Sequence, residues 1–220
     1  MRRVVQAVAA IALAWWLATK LYPPVAQIYS PITHIQFHIP TGKPAARQQS
    51  IPVGPLDVAK GPSLSASKVD GILAAYGSPL KGHGKDIVAL SRTYVVDDAV
   101  ALAFFVMESR AGTQGEAVTT RSFGNLRPMP HQPSYDGYRL YGTWMESAKE
   151  WFGLIHNLYV TQLKLRTVQD IVPVYAPSTD SNNPDTMVAG IKQLVSCWRG
   201  AVDQCPSDPA SVPIIVASGR

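Results

Sequence analysis

The sequence predicts an α+β domain that is mainly helical and carries one small β-hairpin. Apolar residues recur at helical spacing in successive blocks between Ser65 and Trp198. Within those limits one short stretch, Tyr138-Arg-Leu-Tyr141, alternates instead, and it follows Tyr135-Asp136-Gly137, where Asp before Gly is turn chemistry. At 220 residues and 46% hydrophobic content, the chain can bury one good core rather than two large domains.

The elements follow in chain order. Met1-Arg-Arg precedes an apolar run, Val4 to Ala18, in which only Gln6 is polar. Positive charge ahead of such a run sets the rest of the chain outside the cytoplasm. The run is short against the roughly 20 residues of a spanning helix, but no small-x-small cleavage site follows it, and Trp15 and Trp16 suit a membrane interface. Residues 1–22 are therefore expected to form a transmembrane helix that serves as an uncleaved signal anchor, with a removed signal peptide as the alternative. Residues 23–62 hold many of the prolines, with Gly, Gln and Ser between them and no sustained period, and are expected to be an extended linker. A short strand at Ile32–Ile39 fits its alternation. His34 and His38 within it lack carboxylate or cysteine company and are expected to be surface residues rather than metal ligands.

The globular domain is expected over residues 63–205, followed by a tail, 206–220. Ser65–Tyr76 reads as its first helix, with Ser67 and Asp70 spaced as a capping box and Val69, Ile72, Leu73 and Tyr76 on one face. A second helix spans Gly84–Tyr94. A third starts at Asp97 or Asp98, whose charges suit a helix N-terminus, and Gly112 and Gly115 are expected to stop it. Glu116–Arg127 reads as a short helix and a turn, with Glu116 a solvated charge that can also reach a cleft. Thr143-x-x-Glu146 opens a helix to about Asn157, so Glu146 is structural, and Thr167-Val-Gln-Asp170 repeats the device. Asn183-Pro184 starts the last helix, with Met187, Ile191, Leu194, Val195 and Trp198 as its buried stripe.

The third helix carries the chemistry. Ala101-Leu-Ala-Phe-Phe-Val-Met-Glu108 is an apolar run ending in a carboxylate. Phe104 and Phe105, four and three residues back, lie on the same helical face and would strip water from Glu108. Desolvation raises a carboxyl pKa and keeps a proton available near neutral pH, as a general acid requires. The competing account is a solvated surface acid, disfavoured by the helix dipole by roughly 0.3–1 kcal/mol.

Composition narrows the remaining classes. The formal charge is +5 and the pI about 9.2, which draws an exported protein to anionic wall polymers and phospholipid surfaces. The cations are scattered, no helix carries a basic stripe, and no nucleic-acid-binding motif is present, so a nucleic-acid partner is not expected. Cys197 and Cys205 can pair in an oxidising compartment, contributing about 2–3 kcal/mol by loop entropy. No second Cys or His pair stands near them, and neither a metal nor a cofactor is expected.

Taken together, Ala103-Phe-Phe-Val-Met-Glu-Ser-Arg-Ala-Gly-Thr, Thr120-Arg-Ser-Phe-Gly-Asn125-Leu-Arg, Tyr138-Arg-Leu-Tyr141, Trp144-Met-Glu-Ser147 and Val174-Tyr-Ala-Pro resemble, in order, the glucosaminidase domains of glycoside hydrolase family 73. That family belongs to the lysozyme-like superfamily, and many members carry the label mannosyl-glycoprotein endo-β-N-acetylglucosaminidase. The resemblance covers residues 64–200. It implies a lysozyme-like fold with a glycan groove between helices and hairpin, and Glu108 as the general acid. It also implies that Tyr175 lies near the cleaved sugar. The family's second carboxylate comes from a longer hairpin; here Pro128–Gly137 holds only Asp136, which is either that acid or simply part of the turn. Asn125, Tyr138, Tyr141 and Phe123 are expected on the substrate, and Tyr135 and Trp144 are further candidates for stacking on sugar rings.

The activity so implied is cleavage of the β-1,4 bond next to N-acetylglucosamine in peptidoglycan or a related glycan, at the cell envelope. A lytic transglycosylase and a non-catalytic wall-binding module are the alternatives.

Overall fold

Helix α1 (Ala66–Ala75) begins where the Ser65 side chain accepts from the Lys68 N–H, and it buries Val69, Ile72 and Leu73 with Tyr76 just beyond. The cap therefore lies two residues before the expected Ser67. Asp70, expected in that box, instead turns outward to the next element: its Oδ1 accepts from Gly82 N (3.1 Å) and Gly84 N (2.7 Å), fixing the entry to α2 (Gly84–Tyr94). In the computed structural model, residues 54–180 and 182–200 are described. The expected transmembrane helix, most of the expected linker, His34, His38 and the chain beyond 200 lie outside them. Among the described residues no helix is long and apolar enough to cross a membrane.

The end of the expected linker belongs to the domain. Val58 is fully buried, and main-chain bonds join Val58 N to Arg166 O (2.8 Å), Val168 N to Leu56 O (2.9 Å) and Asp97 N to Val58 O (3.0 Å). A linker boundary at 62 is thus too late by several residues. Leu56, Val58 and Ala59 among the Pro, Gly, Asp and Lys of this stretch gave no sustained periodic signal, yet the backbone of Leu56 and Val58 pairs across the fold.

Helix α3 (Asp98–Ser109) is the axis of the core, and all 12 of its residues are buried. A helix apolar on every side must be enclosed on every side. Asp97 caps it, accepting from Ala99 N and Val100 N. Its stop is not the expected glycines but Arg110 and Ala111, both left-handed (φ 49° and 54°). Gly112 serves packing: at φ 88° a Cβ there would stand 2.8 Å from the rings of both Phe123 and Trp144.

After the short α4 (Ala117–Thr120), strands β1 (Ser134–Tyr135) and β2 (Tyr138–Arg139) pair antiparallel, Tyr135 opposite Tyr138. Helix α5 (Trp144–Leu154) starts with the full Thr143/Glu146 capping box and continues as a π-helix over Ile155–Gln162. Helix α6 (Val168–Tyr175) starts with the second box, Thr167/Asp170. Helix α7 (Pro184–Trp198) is capped by Asn183 and buries Met187, Ile191, Leu194 and Val195. It lies against α3, where a Cβ on Gly190 would meet the Met107 thioether at 2.7 Å and displace it. Cys197 is disulfide-bonded; Cys205 lies outside the described residues. The architecture is the expected one, mainly helical with one two-stranded hairpin.

Candidate active site

The site is assembled where the end of α3 meets the turn before the hairpin. Ser109 Oγ lies within bonding distance of Phe123 O (3.0 Å) and accepts from Gly112 N (3.0 Å), joining the helix end to that turn. Ser122 Oγ accepts from Leu126 N (3.0 Å), and Ser147 of α5 accepts from Phe123 N (2.9 Å). Gly124 is pressed against α5 and α6: a Cβ on it would stand 2.5 Å from Trp151 and 2.6 Å from the Tyr175 hydroxyl. Hydroxyls and a glycine therefore hold the turn, and Asn125 emerges from it in a left-handed conformation (φ 47°) that asparagine tolerates.

Glu108 is enclosed, at 3% exposure. Burial pushes its carboxyl up to about 8, a rise partly opposed by the amide of Asn125. Asn125 Nδ2 donates to the Glu108 main-chain carbonyl at 3.0 Å and to its carboxyl Oε2 at 3.3 Å. The other oxygen, Oε1, is buried without a hydrogen-bond partner. Desolvation is the expected effect, and Phe104 and Phe105, four and three residues back on the same helix, are themselves packed in an aromatic cluster. Phe105 stacks on Phe123 (centroids 4.8 Å), and Trp151 packs against both Phe104 (5.2 Å) and Phe105 (5.1 Å).

Tyr138 stands within the field of Glu108, and Tyr141 follows three residues later. Both are buried, and burial raises both phenols. Tyr138 feels the fields of Glu108, Glu116 and Asp136, while Arg127, whose guanidinium lies 4.7 Å from its ring centre, opposes the rise. Arg127 Nη1 also donates to Gly137 O (3.0 Å), fastening the hairpin turn. Tyr141 has Glu150 and Arg139 beside it, and Arg139 Nε stands 3.7 Å from Glu150 Oε2.

Three expected assignments change. Phe123 is fully buried between Phe105 and Trp144 (4.9 Å), so it is a core residue with no face for a sugar. Tyr175, also buried, donates its hydroxyl to Gly124 O (2.7 Å) and accepts from Trp151 Nε1 (3.3 Å). A phenol has one proton to donate, and here it supports the turn rather than an N-acetyl group. Asp136 is exposed at φ 47°, next to Gly137 at φ 77°, the geometry of a two-residue hairpin turn. The turn reading of Asp136 is the one the geometry supports, and burial and Asn125 account for the Glu108 shift without a neighbouring carboxylate.

Glu108, Asn125 and Tyr138 therefore share one region, with Tyr175 beneath the turn, Tyr141 beside Arg139 and Glu150, and Asp136 at the exposed hairpin tip. Sequence reasoning missed Gly124, Ser147 and Trp151. Trp151 was findable, standing at helical spacing from Trp144 and Ala148; the roles of Gly124 and Ser147 depend on long-range approach that no local pattern encodes. Among the described residues no group of three or more His, Cys, Asp or Glu gathers as a metal site. No family model matches the chain, and no curated protein matches it.

Proposed function

We propose that this protein cleaves the β-1,4 glycosidic bond next to N-acetylglucosamine in peptidoglycan or a related glycan, with Glu108 as general acid. The carrying observation is a carboxyl held neutral near pH 7 by burial, with one oxygen fixed by Asn125 and the other unpartnered. Every motif behind the resemblance to family 73 borders this carboxyl or its supporting turn, which favours the glucosaminidase-like reading and a lysozyme-like domain. Glu108 protonates the departing glycosidic oxygen. Positive charge on the sugar ring is then met by a water, whose proton returns to the Glu108 carboxylate left by the first step, or by the substrate's own N-acetyl oxygen, a recognised variant of the two-carboxylate scheme.

That no neighbouring carboxylate acts on Glu108 among the described residues favours a second reading, the lytic transglycosylase, in which the sugar closes on itself to an anhydro product. Digestion of purified wall by the full chain, followed by mass spectrometry, separates the two: a reducing N-acetylglucosamine end supports the hydrolase, an anhydro end the transglycosylase, and intact wall refutes both. The acid's enclosure also means that a glycan reaches Oε1 only when part of the cover moves, and the hairpin bearing Tyr138 is the part this reading assigns to that movement. The proposed location is the outer side of the cytoplasmic membrane, supported by Met1-Arg-Arg, the following apolar run and the basic pI.

A further inference from the structure

Asn125 reaches Glu108 from a turn 17 residues away. The Glu108 carbonyl is among the last four of α3, which have no partner within the helix. A carbonyl only accepts, so it fixes which end of the Asn125 amide faces the helix: Nδ2 must, and Oδ1 must point elsewhere. The two hydrogens of Nδ2 serve two acceptors, the Glu108 carbonyl at 3.0 Å and Oε2 at 3.3 Å. Oε2, receiving an N–H, is the poorer seat for a proton. Oε1 and Asn125 Oδ1 are both buried without partners, and buried polar atoms left so are rare enough to need a reason.

We propose that Asn125 is the positioning residue of the acid, its amide holding Oε2 so that the transferable proton resides on Oε1. The inference rests on the reading of Glu108 as the acid. It reassigns Asn125 from contacting substrate to acting through Glu108. The titratable groups that share the acid's field are Tyr138 of β2 and Tyr175 of α6; both phenols are raised by burial and stay neutral while Glu108 titrates.

The test uses Asn125→Gly and Asn125→Asp in the full chain. Glycine keeps the left-handed backbone and removes only the amide; aspartate keeps the side-chain shape and puts an acceptor where the donor stood. Two readouts are needed: the titration of the 13C-labelled Glu108 carboxyl by NMR, and kcat and KM on purified wall against pH. In Asn125→Gly the carboxyl is expected to titrate about one pH unit higher, because a bond favouring the charged form is gone. The basic limb of activity should move with it, and kcat should fall at least about tenfold with KM nearly unchanged. Asn125→Asp should move the titration further in the same direction. An unmoved titration and unchanged kcat in Asn125→Gly overturn the proposal. Wild-type protein that leaves wall intact while the NMR shift still appears sinks the glycosidase reading and keeps the Asn125–Glu108 coupling.

Discussion

At the residue scale, one carboxyl combines full enclosure with a partner that fixes only half of it. Glu108→Gln keeps the shape and removes the proton; it is expected to cut kcat on purified wall by about 10²–10⁴-fold, the usual worth of a positioned acid. Stability checks the same group independently. The folded carboxyl titrates near 8, above its ordinary 4.5, so its contribution to stability is fully present below about 4.5 and is lost as pH rises through 8. The melting temperature of Glu108→Gln, measured against wild type, should therefore gain on it from pH 5 to about pH 8 and level off above that. A constant difference over that range refutes the enclosure of the acid. Tyr175→Phe separates support from chemistry: it strands the Gly124 carbonyl and should lower stability by about 1–3 kcal/mol in urea unfolding. A loss of kcat at unchanged stability would return Tyr175 to the sugar.

At the scale of elements, the hairpin is tied to the turn it covers. Arg139 N donates to Leu126 O (2.7 Å) and Tyr141 N to Thr120 O (2.9 Å), so movement of the hairpin breaks bonds that hydrogen exchange can follow. The Arg139 amide is expected to exchange at least about tenfold faster than that of Phe105 inside α3; equal protection would show that the glycan enters elsewhere. These elements also show what the sequence discloses. The two Thr-started helices, the Asn183-Pro184 start and the wholly apolar α3 were legible because caps and periodicity are local properties. The placement of Glu108 in aromatic surroundings was legible for the same reason. The start of α1 was legible to within a residue, but its cap was misplaced from Ser65 to Ser67 because Asp70 caps a neighbour rather than its own helix, a choice made in three dimensions. The demotion of Phe123 and Tyr175 from the substrate was not legible either. An aromatic side chain suits a sugar and a core equally well, and only the rings of Phe105 and Trp151 decide between them.

At the scale of the whole molecule, the two ends of the described domain meet at the start of the helix that carries the acid. Asp97 and Asp98 are both fully buried there. Asp98 Oδ1 accepts from Ser63 N (2.8 Å) and Leu64 N (3.2 Å), drawing in the segment before α1. Arg199, just after α7, is ion-paired to Asp97 Oδ2 and donates to Ser63 Oγ (3.1 Å from Nη2). One guanidinium thus compensates a buried carboxylate and joins the N-terminal segment, α3 and α7. Burial raises the Asp98 carboxyl, with the nearby Asp97 charge adding to the rise, so its neutral form is the one folding favours. Arg199→Met removes the cation and leaves Asp97 enclosed and uncompensated, which typically costs about 3–5 kcal/mol for a buried pair; here the lower end is expected, because Arg199 is 23% exposed. Arg199→Lys distinguishes this cause from a role of the guanidinium's shape: a variant that keeps a cation beside Asp97 should recover most of the deficit in urea unfolding. Equal deficits in the Met and Lys variants would mean that Arg199 does not act through its charge, and that the closure of the domain on the base of α3 is not electrostatic.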